Sequence, residues 1–411
     1  MDLFAGLGGF RVALEMYCKK HKIINKCVLV SEIDKEVIKT YKGNFGSKHE
    51  MINIKNLDKY CSQCPPHDIL FAGFPCQAFS NAGNKKGFLD ETRGTLFFDV
   101  VQILKNKKPK YILLENVKHL INHDNGKTWK IITNTLVTLG YVIPKQPLLL
   151  SPHQFGIPQE RWRVYLPGVL KTELKKQTEY LDFNFENFFK NLPTEEQIRK
   201  KYLEKKINST YYLDESRKKD SYLLNVFKAW GEFLQNVKFP RGKTLPVIWL
   251  YEFTNPHFSD NDPPWKTEYL KSMNSLYENN KKFIDKWLVK YQPDNWKIRE
   301  QKFEWQAGKD CKDLRKSIIS FRQSGIRCKR FSKFSTLVAM AQTTLIFDWD
   351  KGQWRRITPR EAARLQSFPD KYKTHKEITG SPNDFYSYKQ FGNSINIYVV
   401  NKIIAELLER Y

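Results

Sequence analysis

The sequence has no run of about 18 uninterrupted apolar residues, the length at which a membrane-spanning helix becomes feasible. Its first residues lack the basic stretch followed by an apolar stretch that characterises a secretory signal. It contains neither an internal repeat nor a low-complexity tract. These absences exclude a transmembrane helix and a repeat protein, and they predict a cytoplasmic chain without a membrane partner.

Cysteine is scarce and odd in number, with seven residues among 411. Without a secretory signal, an odd count favours free thiols in a reducing compartment over a disulfide framework. Cys61 and Cys64 have the spacing of metal ligands, but a structural zinc needs four ligands and no second pair follows. We therefore expect no bound metal and two ordinary thiols at this pair.

Acidic residues are outnumbered, since Asp and Glu total 44 against 69 Lys and Arg, a formal net charge of +25. An excess of this size indicates a polyanionic partner, nucleic acid first, although a codon bias towards lysine could also produce it. The stretch 311–333 concentrates the charge, with eight basic residues, one acidic residue and interleaved phenylalanines. We predict phosphate contacts there, with a merely solvated charged face as the alternative.

The remaining composition is that of a globular protein, with 41% hydrophobic and 27% charged residues and room for two to three domains of about 150 residues. Within residues 1–165, short apolar runs alternate with amphipathic stretches. Strands are expected at 2–5, 28–31, 69–72, 111–115 and 163–166, and helices near 10–20, 35–43, 93–106 and 127–139. This alternation predicts an α/β fold with a doubly wound, mostly parallel sheet, in which ligands bind beyond the carboxyl ends of the strands.

Beyond residue 171 the alternation stops, and charged and aromatic runs extend to about residue 340. It returns near 355, where Thr358 and Pro359 followed by Glu361 form the pattern of a helix start. An apolar-periodic helix is expected over 395–409. The middle of the chain is therefore organised differently from both ends.

Two features predict a nucleoside-containing cofactor. Phe4–Gly9 follows the first strand with three glycines, which let the backbone turn sharply and approach a ligand closely. The pattern is not the dinucleotide fingerprint, because Arg11 stands where that motif needs its third glycine. Glu32 ends the next strand, where nucleoside-binding folds place a ligand of the ribose hydroxyls. An ordinary tight turn between strand and helix is the alternative for the glycines.

Candidate catalytic side chains also fall at strand ends. Cys76 follows the third expected strand and Pro75, a position suited to thiolate chemistry, with an inert buried cysteine as the alternative. Glu115 ends the fourth expected strand, which could put a carboxylate beside the thiol. Arg161 and Arg163 have the i, i+2 spacing that directs two side chains of a strand to one face.

Together these motifs resemble the DNA (cytosine-5)-methyltransferase family of the bacterial restriction–modification type. Phe4–Gly9 and Glu32 resemble its first two motifs, and GFPCQAFS at 73–80 resembles its nucleophile motif. The resemblance covers about the first 165 residues and the last 55. The remaining matches keep the family's order along the chain: Arg93–Phe98, Glu115–Val117, Gln159–Arg163, Arg360–Gln366 and Gln390–Ile395.

The resemblance implies methyl transfer from S-adenosyl-L-methionine to C5 of a cytosine flipped out of duplex DNA, leaving S-adenosyl-L-homocysteine. Cys76 would add to C6 and make C5 nucleophilic. Glu115 would hold N3, Arg163 would hold O2, and Arg161 would support the site. The cofactor would be bound by residues from both ends of the chain: Phe4, Ala5, Gly6, Leu7, Gly8, Gly9, Glu32, Ile33, Asn53, Ile54, Pro75, Leu96, Asn393 and Ile395. The family usually has aspartate where Asn53 stands, but the amide oxygen can still accept from the adenine amino group.

The resemblance also implies domains and partners. Residues 1–170 would form the catalytic domain, completed by 385–411, and 171–384 would form a target-recognition domain that includes the 355–370 motif. The protein is expected to act as a monomer on the nucleoid DNA of a bacterium or phage, alongside a cognate restriction endonuclease. Contacts to double-stranded DNA are expected from a mobile loop after the nucleophile and from the basic stretch: Ser80, Lys85, Lys86, Arg322, Arg327, Lys329, Arg330 and Thr336.

Alternatives remain open at the level of sequence. An RNA cytosine-5 methyltransferase would share the domain and the nucleophile, but the large basic insertion argues against it, because the RNA-acting relatives are compact. A catalytically silent DNA-binding protein would need none of Cys76, Glu115 and Arg163, all of which are present. A Rossmann oxidoreductase that uses NAD is more distant, because the glycine spacing fails and Cys76 would have no role in it.

Overall fold

The computed structural model describes residues 1–47, 51–54, 64–75, 96–254, 256–337 and 344–411. The β-strands are β1 (Asp2–Leu3), β2 (Val30–Ser31), β3 (Met51–Ile52), β4 (Ile69–Ala72), β5 (Tyr111–Val117), β6 (Tyr141–Val142), β7 (Leu148–Leu150), β8 (Gln159–Glu160), β9 (Arg163–Leu170), β10 (Ile248–Trp249), β11 (Lys302–Gln306), β12 (Ser317–Arg322), β13 (Gly325–Arg330), β14 (Phe334–Ser335), β15 (Leu345–Asp348) and β16 (Gln353–Arg356). The α-helices are α1 (Gly9–His21), α2 (Lys35–Phe45), α3 (Leu96–Lys107), α4 (Lys127–Thr138), α5 (Glu195–Tyr202), α6 (Lys218–Asn236), α7 (Pro264–Tyr291), α8 (Pro359–Leu365), α9 (His375–Thr379), α10 (Phe385–Asn393) and α11 (Ile397–Arg410). Across these described ranges, no helix has both the length and the apolar character needed to cross a membrane.

The chain folds as two compact units. Unit 1 comprises Met1–Leu192, Thr336–Ala339 and Ala362–Tyr411, and unit 2 comprises Pro193–Ser335 and Met340–Glu361. Unit 1 is thus larger than the catalytic part expected from the sequence, which ended at residue 170 and resumed at 385. The difference lies at both joints, where residues 171–192 and 362–384, assigned to the insertion from the sequence, belong to unit 1.

Hydrogen bonds explain this larger unit. The N–H of Leu181 donates to the carbonyl of Ile143 (3.1 Å), which ties residues beyond 170 to the edge of the sheet. The side chain of Asn396 donates to the carbonyl of Leu365 (3.0 Å), and that of Gln366 donates to the carbonyl of Phe391 (3.2 Å). The end of the 355–370 motif is therefore part of the same unit as the C-terminal helices.

Unit 1 is built on an eight-stranded sheet with the order β3-β2-β1-β4-β5-β9-β6, and β7 also pairs with β9. Strands β1 to β5 run parallel, and β9 is antiparallel to its neighbours. The chain goes from β1 to β2 and β3 on one side and then crosses to β4 on the other. The direction of the strand connections therefore reverses between β1 and β4, and sheets of this kind bind ligands at such a topological switch point. The predicted doubly wound, mostly parallel α/β sheet is confirmed.

The strands and helices predicted for the first 165 residues are present, with small shifts at their ends. The first strand ends at Leu3 rather than at residue 5, because Phe4 has φ 54°, a left-handed conformation that breaks the extended backbone. In β5, Ile112, Leu113 and Leu114 are all buried, as expected of a parallel strand covered on both faces. Burial of each such side chain stabilises the fold by roughly 1.5–3 kcal/mol.

Unit 2 contains a six-stranded sheet with the order β10-β11-β13-β12-β15-β16, in which β11 and β13 are parallel and the other pairs antiparallel. Its core is rich in aromatic residues, and Trp230, Trp287 and Trp305 are at most 1% exposed. Each indole N–H donates to a backbone carbonyl, so that none of these polar groups is left unpaired. Aromatic packing and β-pairing together therefore stabilise the middle of the chain.

The predicted start of α8 is also confirmed. The N–H of Glu361 donates to the hydroxyl of Thr358 (3.2 Å), and the N–H of Thr358 donates to the carboxylate of Glu361 (2.9 Å). This reciprocal pair is a capping box. The same carboxylate accepts two hydrogen bonds from the buried guanidinium of Arg355, at 2.8 and 2.9 Å.

Candidate active site

A cavity of about 650 Å³ lies within unit 1. Its wall consists of the segments that follow β1, β2, β3 and β4, the end of β5, and the C-terminal segment 389–395. It includes every residue predicted to bind a cofactor other than Gly8, and also Glu115, Arg161 and Arg163. The remaining lining residues, which sequence reasoning did not assign, are Phe10, Ser31, Asp34, Val37, Gly73, Phe74, Asn116, Val117, Lys389, Gln390, Gly392 and Ser394.

The glycine turn shapes one side of this cavity. Gly8 has φ 73° and stands just before α1, and a Cβ atom at this position would lie 2.6 Å from the ring of Phe45. Gly8 therefore forms the turn without lining the cavity. Gly9 has an ordinary φ, but a Cβ atom on it would lie 2.6 Å from Cγ1 of Ile395. The missing side chain lets the C-terminal segment pack directly on the first turn of α1.

Glu32 is held in a fixed orientation by the backbone. Its Oε2 accepts from the N–H of Gly6 (2.9 Å), and its Oε1 accepts from the N–H groups of Ile33 (2.7 Å) and Asp34 (2.9 Å). Oε2 retains further acceptor capacity, because an ionised carboxylate offers about four acceptor sites and these bonds use three of them. The geometry therefore suits a ligand that presents hydroxyl groups.

Asp34 and Lys389 form a contact that the sequence did not reveal. The Nζ of Lys389 lies 3.0 Å from Oδ2 of Asp34. The other oxygen, Oδ1, caps α2 by accepting from the N–H groups of Glu36 and Val37. Burial opposes ionisation of Asp34, but these hydrogen bonds lower its pKa below the ordinary value. The pair joins the two ends of the chain beside the cavity. In the sequence, the only sign of a structural role for Asp34 is its place directly before an expected helix.

Glu115 and Arg163 form an ion pair in the cavity wall, with 3.1 Å between Oε1 of Glu115 and Nε of Arg163. Burial raises the pKa of Glu115, and the positive charges of Arg163 and Arg161 only partly oppose this shift. The carboxyl group is thus poised to keep a proton at higher pH than an exposed glutamate. A carboxyl of this kind can donate a hydrogen bond to a ring nitrogen.

Arg161 has a different environment, although it lines the same cavity. Its side chain is 2% exposed. Nη2 donates to the carbonyl of Ser394 (2.7 Å), and Nη1 donates to the carbonyl of Leu337 (3.2 Å). Burial lowers the pKa of Arg161 to about 9, with a smaller contribution from the charge of Arg163. The two arginines thus have different partners: Arg163 is bonded to a carboxylate, and Arg161 is bonded to backbone carbonyls.

The sequence profile described as "C-5 cytosine-specific DNA methylase" matches residues 1–409. The chain belongs to this family. As a DNA (cytosine-5)-methyltransferase, it resembles the Type II methyltransferase M.BanI of Aneurinibacillus aneurinilyticus, with 32% identity over all of this chain and 95% of the relative. It also resembles the Type II methyltransferase M.HgiCI of Herpetosiphon aurantiacus, with 32% identity over all of this chain and 97% of that relative. The crystal structure of the S. pombe Dnmt2 methyltransferase shares the fold, with a TM-score of 0.51, 21% identity, and coverage of 99% of this chain and 97% of the other.

The methyltransferase's expected nucleophile, Cys76, lies outside the described residues, as do Ser80, Lys85 and Lys86. The peptide that leads to Cys76 is described up to Pro75. There the side chain of Asn116, 4% exposed, donates to the carbonyl of Phe74 (2.8 Å). The Oδ1 of Asn116 accepts from the N–H of Val117 (2.8 Å), which fixes the orientation of the amide. The last described residues before the nucleophile are therefore anchored to β5.

Several arginines in the basic stretch of this methyltransferase already form ion pairs with acidic residues. Arg327 is bonded to Glu304 at 2.5 Å, Arg330 to Asp310, and Arg315 to Asp313. Lys329 is only 9% exposed, and Arg322 ends β12. Thr336, in unit 1, donates its hydroxyl hydrogen to the carbonyl of Glu160 (2.8 Å). Several predicted phosphate contacts would therefore need a cation that already has an acidic partner.

Proposed function

We propose that this enzyme transfers the methyl group of S-adenosyl-L-methionine to C5 of a cytosine flipped out of duplex DNA, through a covalent bond between Cys76 and C6. One observation carries the proposal: a single cavity is lined both by Glu32 with the glycine turn and by the Glu115–Arg163 pair. A site that only bound a nucleoside would have no use for the buried carboxyl and guanidinium. A methyl donor and an acceptor base need both halves side by side.

The residues around the cavity fit the proposed cofactor. The volume of about 650 Å³ leaves room for a nucleoside and an amino acid moiety beside a base. Glu32, already oriented by three backbone N–H groups, would accept from a ribose hydroxyl through Oε2, and Asn53 and Ile54 would contact the adenine ring. When bound, S-adenosyl-L-methionine supplies an electrophilic methyl group on a positively charged sulfur.

Cytosine C5 is a weak nucleophile, and the enzyme must make it a stronger one. The Cys76 thiolate would add to C6, which turns the ring into an enamine whose C5 carries the electron pair. Glu115, whose pKa is raised by burial, would donate a hydrogen bond to N3, where negative charge develops. Arg163 would hold O2 while remaining bonded to Glu115. After C5 bonds to the methyl carbon, a base removes the C5 proton and the C6–sulfur bond breaks, which restores the ring and the thiolate.

Asn116 would support the nucleophile without touching the base. It holds the carbonyl of Phe74, two residues before Cys76, and Pro75 between them has a restricted φ. The direction in which the chain leaves β4 is therefore set before Cys76 is reached. We assign Asn116 as a positioning residue for the thiolate.

The partners follow from the family and from the relatives. The relatives are Type II methyltransferases, and we propose that this enzyme likewise protects DNA in a restriction–modification system with a cognate endonuclease. We propose unit 2 as the target-recognition domain and a monomer as the active form. The positive charge of +25 supports a DNA-binding role for the chain as a whole.

The test is methyl transfer from radiolabelled S-adenosyl-L-methionine to unmethylated genomic DNA, followed by bisulfite sequencing. We expect label at cytosines in one recurring sequence context, and no label with Cys76→Ser. Label in tRNA but not in DNA would replace the proposal with an RNA methyltransferase. Absence of label in both, with S-adenosyl-L-homocysteine still bound, would favour a silent DNA-binding protein.

A further inference from the structure

Arg161 joins three segments that are far apart in sequence. Its own backbone N–H donates to the hydroxyl of Ser151 (2.9 Å), which anchors it next to the end of β7. Its guanidinium donates to the carbonyls of Ser394 and Leu337, at 2.7 and 3.2 Å. The sequence separations of these last two contacts are 233 and 176 residues. A single side chain thus links the C-terminal segment to the segment Thr336–Leu337.

Both of these bonds go to backbone carbonyls, and this has an energetic consequence. A buried guanidinium without acceptors is strongly unfavourable, so the two carbonyls must stay near Arg161. If either segment moves, Arg161 must follow or lose a charge-assisted hydrogen bond. Through these hydrogen bonds, the position of each segment depends on Arg161 and hence on the position of the other segment.

The two segments have different expected ligands. Ser394 lies between Asn393 and Ile395, which line the cavity proposed for the cofactor, and Ile395 packs on Gly9 at the start of α1. Thr336 and Leu337 follow the basic stretch. In sequence they lie between the two parts of unit 2. Thr336 is itself bonded to the carbonyl of Glu160, the residue before Arg161. One end of the connection thus adjoins the cofactor cavity, and the other is a segment of unit 1 that follows the basic stretch in sequence.

We propose that Arg161 is a positioning residue that couples the two substrates: binding of duplex DNA at the Thr336–Leu337 segment orders the Ser394 segment, and binding of the cofactor does the reverse. The inference rests on the proposed function, because it needs both DNA and cofactor as ligands. It assigns Arg161 no contact with the cytosine, because the side chain is 2% exposed and its guanidinium points to the carbonyls of Ser394 and Leu337. By linkage, the factor by which DNA strengthens cofactor binding equals the factor by which cofactor strengthens DNA binding.

The experiment measures the dissociation constant of S-adenosyl-L-homocysteine by calorimetry, with and without a saturating duplex that carries the site found by bisulfite sequencing. The ratio of the two constants is the coupling factor, and we expect about tenfold for the unaltered enzyme, within the usual range for coupled sites. Arg161→Gln should reduce this ratio to near one. Arg161→Lys, which keeps the charge but reaches fewer carbonyls, should give an intermediate ratio.

Two further variants control for local damage. Thr336→Val removes the hydroxyl bonded to Glu160 and should lower the ratio. Ser394→Ala removes a side chain but keeps the carbonyl that accepts from Arg161, so that the ratio should persist even if both constants change. If Arg161→Gln does not fold, Arg161→Lys and Thr336→Val provide the test.

The outcomes separate this inference from the proposed function. A ratio preserved in Arg161→Gln and Arg161→Lys, with both affinities weakened equally, would reduce Arg161 to a part of the cavity wall. A ratio of one in the unaltered enzyme would overturn the coupling while methylation of DNA continued. Failure of the unaltered enzyme to methylate DNA at all would instead count against the proposed function.

Discussion

Arg163 reaches Glu115 diagonally across two antiparallel strands. Arg163 in β9 stands opposite Val117 in β5, so Glu115, two residues along β5, lies on the same face of the sheet. Their ion pair spans 3.1 Å between Nε and Oε1. Diagonal neighbours of this kind are within reach of long side chains such as arginine. The sheet register alone therefore brings together the two groups that are proposed to hold the cytosine ring.

Replacing Glu115 tests whether its proton matters. Because burial raises the pKa of Glu115, the protonated form persists as pH rises, and activity that depends on it should fall only above the raised pKa. Glu115→Gln should lower kcat by about 10²- to 10⁴-fold, the usual range for a lost general acid, and remove this high-pH decline. A pH profile of single-turnover methylation would show both effects. Glu15→Gln, which alters a 41% exposed side chain on α1, should leave the profile unchanged.

Gly9 should tolerate no side chain. In Gly9→Ala the new Cβ would approach Ile395 to 2.6 Å, which forces the C-terminal segment away from α1. We expect at least a tenfold weaker affinity for S-adenosyl-L-homocysteine, measured by calorimetry. Gly231→Ala is the matched control, because its Cβ meets nothing within 4 Å in the middle of α6. It should raise the free energy of unfolding by up to about 1 kcal/mol and leave cofactor affinity intact.

The Arg355–Glu361 pair should contribute far more to stability than an exposed pair. Both side chains are at most 3% exposed, so Glu361→Ala would leave a buried guanidinium without its main acceptor. We expect a loss of about 3–5 kcal/mol in the free energy of unfolding. Asp370→Ala breaks the pair with Arg364, in which the aspartate is 63% exposed, and should cost less than about 1 kcal/mol. Equal losses in urea titrations would contradict this interpretation.

Asp2 should make the fold less stable as pH rises. Its side chain is 1% exposed, and burial raises its pKa to about 7 from an ordinary value of 3.8. A raised folded-state pKa means that the stabilisation is present below about pH 4 and is lost as pH rises through about 7. Asp2→Asn should therefore unfold at a higher temperature than the unaltered protein at pH 8, and this advantage should shrink at pH 5. A constant difference at both pH values would contradict a titrating Asp2.

Five strands and the four helices of the first 165 residues could be predicted because each depends on nearby residues: apolar runs, caps and glycines. The short strands β3, β6, β7 and β8 were not predicted. The contacts that complete the site could not be predicted either. Lys389 and Asp34 meet only because α10 returns to the start of α2, 355 residues earlier in the chain. Arg327 appeared available for phosphate because its partner Glu304 lies on β11, which pairs with β13 out of sequence order. A charge count along the sequence cannot register such pairings.

The aromatic core of unit 2 also makes that unit the dominant source of tryptophan emission. Eight of the ten tryptophans lie within its bounds, and only Trp129 and Trp162 belong to unit 1. Fluorescence during unfolding will therefore report mainly on unit 2, even though the proposed cofactor cavity lies in unit 1. A melting curve recorded at tryptophan wavelengths will therefore respond only weakly when unit 1 opens. Ligand-induced stabilisation of unit 1 is better followed by hydrogen exchange of the backbone amides in its helices.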